Sequence, residues 1–86
     1  MQIIFSEKAE KELDSMDQQM RELFLKHIEK VMTLPPRRHM KFGMPFNVDE
    51  VTKQARMIYQ FEGDDLYILH CFKKHKDYER WYKSFK

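Results

Sequence analysis

Cysteine, glycine, proline and long apolar runs are all scarce in this 86-residue chain. The single cysteine, Cys71, excludes an internal disulfide framework and any zinc site that needs two or more thiolates. With only two glycines and three prolines, the composition is not that of a disordered or low-complexity chain. The longest apolar run, residues 66–69, is too short to span a membrane, and residues 1–5 lack the features of a signal peptide. We therefore expect an intracellular, cytoplasmic protein.

Aromatic and charged residues are plentiful instead, at 14% and 35% of the chain. This length suits one domain, and large aromatic side chains give a small domain much apolar area to bury. The sequence therefore predicts a single domain over residues 1–86 that folds without disulfides or metal.

The charge is distributed unevenly along the chain. The formal net charge is only +2, but residues 1–36 carry a balance of −2 and residues 37–86 a balance of +4. A basic half of this kind suggests a surface that faces a partner, for example nucleic acid. The alternative is that these are ordinary solvated charges.

Hydrophobic periodicity predicts an α+β domain in the order β-α-α-β-β-β, with a short C-terminal helix. Residues 2–5 form the first strand, and Ser6 and Asp17 are placed as N-caps of two antiparallel helices. The second helix stops at Pro35-Pro36, after a stripe of apolar side chains at helical spacing. We expect both helices to pack on one face of a mainly antiparallel sheet.

Three more strands are predicted over residues 48–51, 55–62 and 65–72, the last two joined by a Gly63-Asp64 hairpin turn. Regular alternation about that turn puts Met57 opposite His70. It also places Phe72 on the face that meets the helices, and Arg56 and Cys71 on the other face. The tail is expected to be helical, with Tyr78, Trp81, Tyr82 and Phe85 at helical spacing, available either for the core or for stacking on RNA bases.

The strongest chemical candidate is the segment Lys73-Lys74-His75-Lys76, which follows the hairpin, with Arg56 on the neighbouring strand. Cleavage of RNA by its own 2′-hydroxyl needs a base, a proton donor and cations that stabilise the phosphoryl oxygens. Histidine titrates near neutrality, and arginine presents a planar fork suited to phosphate. A solubilising turn ahead of a helix is the alternative interpretation.

The other histidines are weaker candidates. His27 and His70 are expected in the core, and His39 lies in a basic corner with Arg37, Arg38 and Lys41 that suits either phosphate or solvent. The histidine spacings do not fit a zinc-binding helix, so we expect neither a metal nor another cofactor.

Three segments together resemble the RelE/ParE superfamily of toxins: Ile3-Ile4-Phe5-Ser6-Glu7-Lys8-Ala9-Glu10-Lys11-Glu12-Leu13 at the start, Ala55-Arg56-Met57-Ile58-Tyr59-Gln60-Phe61-Glu62-Gly63-Asp64 in the hairpin, and the strand over residues 66–72 followed by Lys74-His75-Lys76-Asp77-Tyr78. The last of these is similar to the catalytic end of the YafQ and YoeB branches. The resemblance covers nearly the whole chain, in order.

This resemblance implies the toxin of a toxin–antitoxin pair, a ribosome-dependent endoribonuclease that cuts mRNA without a metal. Carried over by position, Arg56 is the phosphate-stabilising arginine and His75 the histidine that transfers protons. Lys74, Lys76 and Arg80 match a basic rim, and together with Arg37, Arg38, Lys41 and Lys73 they are expected to contact RNA phosphates. Where RelE has a lysine-rich strand, this chain has Asn47-Val48-Asp49-Glu50-Val51, which leaves Glu50 as a speculative base.

The resemblance also implies partners, namely a cognate antitoxin, mRNA and the ribosome. Two other functions stay open at this point. One is a ParE-like inhibitor that binds DNA gyrase without cutting RNA, because the same fold serves both activities. The other is a non-catalytic binding module, or a decayed toxin kept for its antitoxin contacts.

Overall fold

A four-stranded sheet with helices on both faces organises the chain in the computed structural model, which describes residues 2–33 and 46–84. The elements are β1 (Ile3–Phe5), α1 (Glu7–Asp14), α2 (Gln18–Thr33), β2 (Asn47–Glu50), β3 (Arg56–Glu62), β4 (Asp65–Phe72) and α3 (His75–Lys83). None of these helices is long and apolar enough to cross a membrane. The predicted Pro35-Pro36 helix stop and the basic corner with Arg37, Arg38, His39 and Lys41 lie outside the described residues.

The strand order is β1-β4-β3-β2, with β1 parallel to β4 and the other neighbours antiparallel. This confirms the predicted α+β class and the mainly antiparallel sheet. The strand bounds agree to within one residue: β2 begins and ends one residue earlier than expected, and β1 and β3 each begin one residue later.

Local polar signals set the helix starts as the sequence predicts. The Ser6 hydroxyl accepts a hydrogen bond from the Ala9 amide at 3.0 Å, and the Asp17 carboxylate accepts one from the Met20 amide at 2.8 Å. Both N-cap predictions are confirmed. On α2 the apolar stripe buries Phe24 and Ile28, whereas the neighbouring Leu23 stays 38% exposed.

Each face of the sheet has its own apolar cluster. The helix-side cluster joins α1 and α2 to one face of β3 and β4 through Ala9, Leu13, Met16, Phe24, Ile28, Val51, Ala55, Met57, Tyr59, Leu66, Ile68 and Cys71. The α3-side cluster consists of the buried residues Phe46, Ile58, Phe72 and Tyr78 with the partly buried Val48, Leu69, Trp81 and Tyr82. The C-terminal helix therefore lies on the face opposite α1 and α2.

The predicted hairpin turn is confirmed, since Glu62 pairs with Asp65 and Gly63 has a φ of 60°. The predicted register fails beyond Tyr59. Tyr59 pairs with Ile68 but Ile58 pairs with His70, so Leu69 is an extra residue in β4, a β-bulge.

Because one extra residue exchanges the two faces, the bulge corrects three predictions. Met57 pairs with Cys71, not with His70. Cys71 lies in the helix-side cluster and Phe72 in the α3-side cluster, the reverse of the expectation. His70 stacks on Phe72 with ring centroids 4.8 Å apart, so it too lies on the α3 side.

Ser6 contacts β4 at the bulge. Its amide donates to the Ile68 carbonyl at 2.9 Å, and its hydroxyl donates to the Leu69 carbonyl at 2.7 Å. The same hydroxyl that caps α1 therefore also binds the carbonyl of the extra residue. This double use fixes the start of α1 against the point where β4 changes register.

Candidate functional site

His75 is the first residue of α3, directly after the strand β4 and a two-lysine connection. Its Nδ1 lies 2.7 Å from Oε1 of Glu79, one helical turn further on. The ring also packs edge-on against Tyr78, with centroids 5.6 Å apart. The imidazole is thus held on two sides while its side chain stays 36% exposed.

Positive charge surrounds this histidine. Lys73, Lys74, Lys76 and Arg80 are all exposed, and none of them forms an ion pair with another residue of 2–33 or 46–84. Lys74 is also the N-cap residue of α3, and its carbonyl accepts from the amides of Asp77 and Tyr78. The helix start thus adds the positive end of its dipole to the four cationic side chains. We call His75 with these four cations the His75 site.

Arg56 has a different environment from the one that the sequence suggests. It is only 9% exposed, and its Nη1 donates to three backbone carbonyls, of Thr52, Lys53 and Ala55, at 3.0–3.1 Å. Its Nη2 lies 3.5 Å from Glu50, whose side chain is 64% exposed. The guanidinium therefore closes the loop between β2 and β3, and Glu50, the speculative base, is its ion-pair partner.

Tyr78 connects the two predicted catalytic residues. It packs against His75, and the positive charge of Arg56 is close enough to act on its hydroxyl. Burial raises the pKa of Tyr78, and the charges of Tyr82 and Glu79 act in the same direction, while Arg56 acts against them. Tyr78 therefore stays a neutral phenol at physiological pH. Tyr78 is thus in contact with His75 and within the electrostatic influence of Arg56.

Histidine–carboxylate pairs recur in this structure, and the sequence analysis missed each carboxylate. His27 Nδ1 lies 2.7 Å from Asp49 Oδ2, and His70 Nδ1 lies 3.2 Å from Glu12 Oε2. For His75 the four-residue spacing to Glu79 was a usable sequence signal, because such residues share a helix face. The partners of His27 and His70 come from distant segments and had no local signal.

A cleft of about 380 Å³ opens between α1 and α3 next to the His75 site. It is lined by Glu12, Ser15, Met16, Cys71, Phe72, Lys73, Asp77, Arg80 and Trp81. Burial, followed by the charge of Glu12, raises the pKa of Cys71 to about 12, so this thiol is neither a ready nucleophile nor a ready metal ligand. Within the part of the chain that the structure describes, no group of three or more His, Cys, Asp or Glu is placed to hold a metal ion.

The arrangement at the start of α3 combines an accessible imidazole with cations that have no carboxylate partner. An imidazole can take or give a proton near neutral pH, and lysine and arginine side chains bind phosphate oxygens. The site can therefore bind a phosphodiester and supply proton transfer beside it. Cys71 is buried and does not supply an accessible thiol nucleophile to the site.

The chain belongs to the phage-derived Gp49-like family (DUF891), whose model matches residues 11–86. This is a RelE-like family, as the sequence resemblance predicted. No curated protein sequence matches the chain.

Solved structures with the same fold have low sequence identity to the chain. Isolated RelE toxin from E. coli is 20% identical, with a TM-score of 0.71 over 98% of this chain and 97% of that one. A YoeB/ParE toxin from Agrobacterium tumefaciens is 16% identical, with a TM-score of 0.69 over 84% and 96%. The intact E. coli RelBE toxin–antitoxin complex gives 22% identity and a TM-score of 0.68 over 83% and 93%. At these identities the likeness establishes the fold.

Proposed function

We propose that this protein is the toxin of a type II toxin–antitoxin pair and acts in the cytoplasm as a metal-independent, ribosome-dependent endoribonuclease. The observation that carries the proposal is the His75 site itself, a half-exposed imidazole among four exposed cations without carboxylate partners. Membership of a RelE-like family supports the same activity.

In the proposed reaction, the mRNA 2′-hydroxyl attacks the adjacent phosphorus while His75 takes the hydroxyl proton. The bond from phosphorus to the 5′-oxygen breaks, leaving a 2′,3′-cyclic phosphate on one fragment. The departing 5′-oxygen receives a proton from solvent or from the imidazolium, so charge and atoms balance. Lys73, Lys74, Lys76 and Arg80 bind the phosphate chain, and Arg37, Arg38 and Lys41 extend this contact in the proposal.

In this proposal Arg56, buried at the start of β3, contributes positive charge to the reaction. Because Nη1 is occupied by the loop carbonyls, the donors left for a phosphoryl oxygen are Nε and Nη2, and Nη2 would bind it in exchange for Glu50. When Glu50 separates from Arg56, its exposed carboxylate returns to water, while Nη1 of Arg56 keeps its three loop carbonyls.

The proposed partners are mRNA, the ribosome and a cognate antitoxin. The excess of positive charge after residue 36 favours an antitoxin segment rich in acidic residues, which folds as it binds. One of the similar structures is a toxin–antitoxin complex, which supports a partner of this class. A small acidic protein encoded beside this gene would be the first candidate.

Cell-free translation followed by primer extension on the mRNA tests the activity. We expect the wild type to cut mRNA only when ribosomes are present, and His75→Ala to lose about 100-fold or more of the rate, as general acid–base catalysis contributes that much. The double variant His75→Ala with Arg56→Ala should be inactive in this assay. When it is induced in cells, growth should continue, whereas induction of the wild type should arrest growth. Lys26→Ala, which removes an exposed cation from α2, is the matched control and should cut normally.

Two results contradict the proposal. Equal toxicity of the wild type and the double variant removes His75 and Arg56 from the activity. Intact mRNA together with inhibited gyrase supercoiling and a DNA-damage response assigns the chain to the ParE-like function instead.

A further inference from the structure

We propose that Glu79 is a positioning residue for His75: its carboxylate holds the imidazole through Nδ1–H and so leaves the lone pair of Nε2 to act as the base. The inference rests on the proposed function for its catalytic part. The structural part, the orientation and tautomer of the ring, stands on geometry alone.

His75 Nδ1 and Glu79 Oε1 lie 2.7 Å apart, in a close ion-pair contact. A neutral imidazole carries one proton, and a carboxylate accepts but cannot donate. The carboxylate therefore favours the tautomer with the proton on Nδ1. Nε2 is then the nitrogen with the free lone pair, and no hydrogen bond joins it to another residue of the described ranges.

The helix fixes this pair rigidly. His75 and Glu79 are separated by one turn of α3, so their backbones cannot shift relative to each other without unwinding the helix start. Tyr78, 2% exposed, anchors the same turn in the α3-side cluster and packs against the ring. The imidazole thus has a defined plane as well as a defined tautomer.

Lys83 binds the other oxygen of Glu79, with Nζ 3.5 Å from Oε2. The carboxylate therefore lies between a histidine on its N-terminal side and a lysine one turn further on. Lys83 is well exposed and contacts only the oxygen that His75 does not use. It therefore serves as a control, because removing it leaves the Nδ1 contact in place.

The experiment combines NMR with kinetics. Long-range ¹H–¹⁵N spectra, recorded at alkaline pH where the ring is neutral, identify which nitrogen of His75 is protonated. We expect Nδ1–H in the wild type and in Lys83→Gln, and a shift towards the Nε2–H tautomer in Glu79→Ala. Glu79→Gln, whose amide oxygen can still accept from Nδ1–H, should keep the orientation without the charge.

In the mRNA-cleavage assay, Glu79→Ala should lower kcat by about 10-fold to 100-fold with little change in KM. This loss is smaller than that expected for His75→Ala, because the imidazole itself remains in place. Glu79→Gln should recover part of that loss, and Lys83→Gln should match the wild type. A residue with only a structural role would not move the tautomer, and its loss would not be rescued selectively by glutamine.

The outcomes separate this inference from the proposed function. A wild type with its proton on Nε2, or Glu79→Ala with unchanged tautomer and kcat, overturns the positioning role. A wild type that cuts no mRNA overturns the proposed function and the catalytic part with it, while the NMR result alone then decides whether Glu79 orients the ring.

Discussion

Glu12 replaces a missing strand neighbour for Cys71: its Oε1 accepts the backbone N–H of Cys71 at 2.9 Å. The parallel strand β1 pairs with β4 only as far as Ile68, and no strand within residues 2–33 and 46–84 lies beside the rest of that edge. The same carboxylate also contacts Nδ1 of His70. One side chain on α1 thus satisfies two groups at the uncovered end of β4 and ties the helix to it.

The first prediction concerns this carboxylate. Glu12→Ala should lower the free energy of unfolding by about 1–3 kcal/mol, because it leaves a buried backbone donor without its acceptor. Glu12→Gln keeps an oxygen at that place and should cost less. Urea denaturation measures both.

Asp14→Ala is the matched control, since Asp14 is an exposed acid on the same helix, and it should change stability by less than about 0.5 kcal/mol. If Glu12→Ala and Asp14→Ala were equally stable, the hydrogen bond from the Cys71 amide to Glu12 would not contribute to stability as predicted.

The second prediction is a loss of stability at high pH. The pKa of Cys71 is raised from 9.0 to about 12, mainly by burial, and burial also raises the pKa values of Tyr59 and Tyr78. Between the unfolded and folded pKa values the native state holds more protons than the unfolded state, so stability falls as pH rises. The contribution of Cys71 is fully present below about pH 9 and is lost as the pH approaches 12, by at most about 1.4 kcal/mol per pH unit.

Denaturation curves at neutral pH and near pH 11 test this dependence. Cys71→Ala should reduce the slope between these conditions, because the tyrosines alone then contribute to it. A Cys71 thiol alkylated in the native protein as fast as in urea would contradict the burial on which the prediction depends.

Features that depend on neighbouring residues were predictable from sequence, and those that depend on distant ones were not. The Ser6 and Asp17 caps and the Gly63 turn follow from the chemistry of three or four consecutive residues, and all three were predicted correctly. The bulge at Leu69 has no such local signal, and the hydroxyl that binds the Leu69 carbonyl belongs to Ser6, more than sixty residues away, so strict alternation gave the wrong faces for Cys71 and Phe72.

The site shows the same division. His75 and the lysines around it were selected because they stand together in the sequence, and the structure does place them on one exposed corner. Arg56 was expected to face a ligand, but its contacts with the carbonyls of Thr52 and Lys53 depend on how the loop before β3 folds back. The path of this loop is set by its backbone dihedral angles, which the residue types alone do not specify.

The third prediction tests the double role of Ser6. Ser6→Ala removes both the cap of α1 and the bond to the Leu69 carbonyl, so it should cost about 1–3 kcal/mol, more than an ordinary cap. Ser15→Ala is the control, because the Ser15 hydroxyl makes one exposed hydrogen bond to the carbonyl of Glu12.

Faster amide hydrogen exchange around residues 68–70 in Ser6→Ala, but not in Ser15→Ala, would locate the effect at the bulge. Equal losses of stability in the two variants would mean that the bulge does not depend on Ser6.

The fourth prediction separates the structural role of Arg56 from its proposed catalytic one. Lysine keeps the positive charge but cannot reproduce the guanidinium geometry by which Nη1 reaches three carbonyls. Arg56→Lys should therefore cost about 1–3 kcal/mol and speed amide exchange in the loop over residues 51–55, while Arg80→Lys, on the exposed surface, should do neither.

Cleavage rates at a temperature where each variant is fully folded then decide what Arg56 does. If its charge alone supports the reaction, Arg56→Lys should keep most of kcat although it is less stable, and Arg56→Ala should lose it. Equal kcat values for the wild type, lysine and alanine would show that Arg56 acts only on the loop. In that case the cations that stabilise the phosphate would have to be the exposed ones around His75, namely Lys73, Lys74, Lys76 and Arg80.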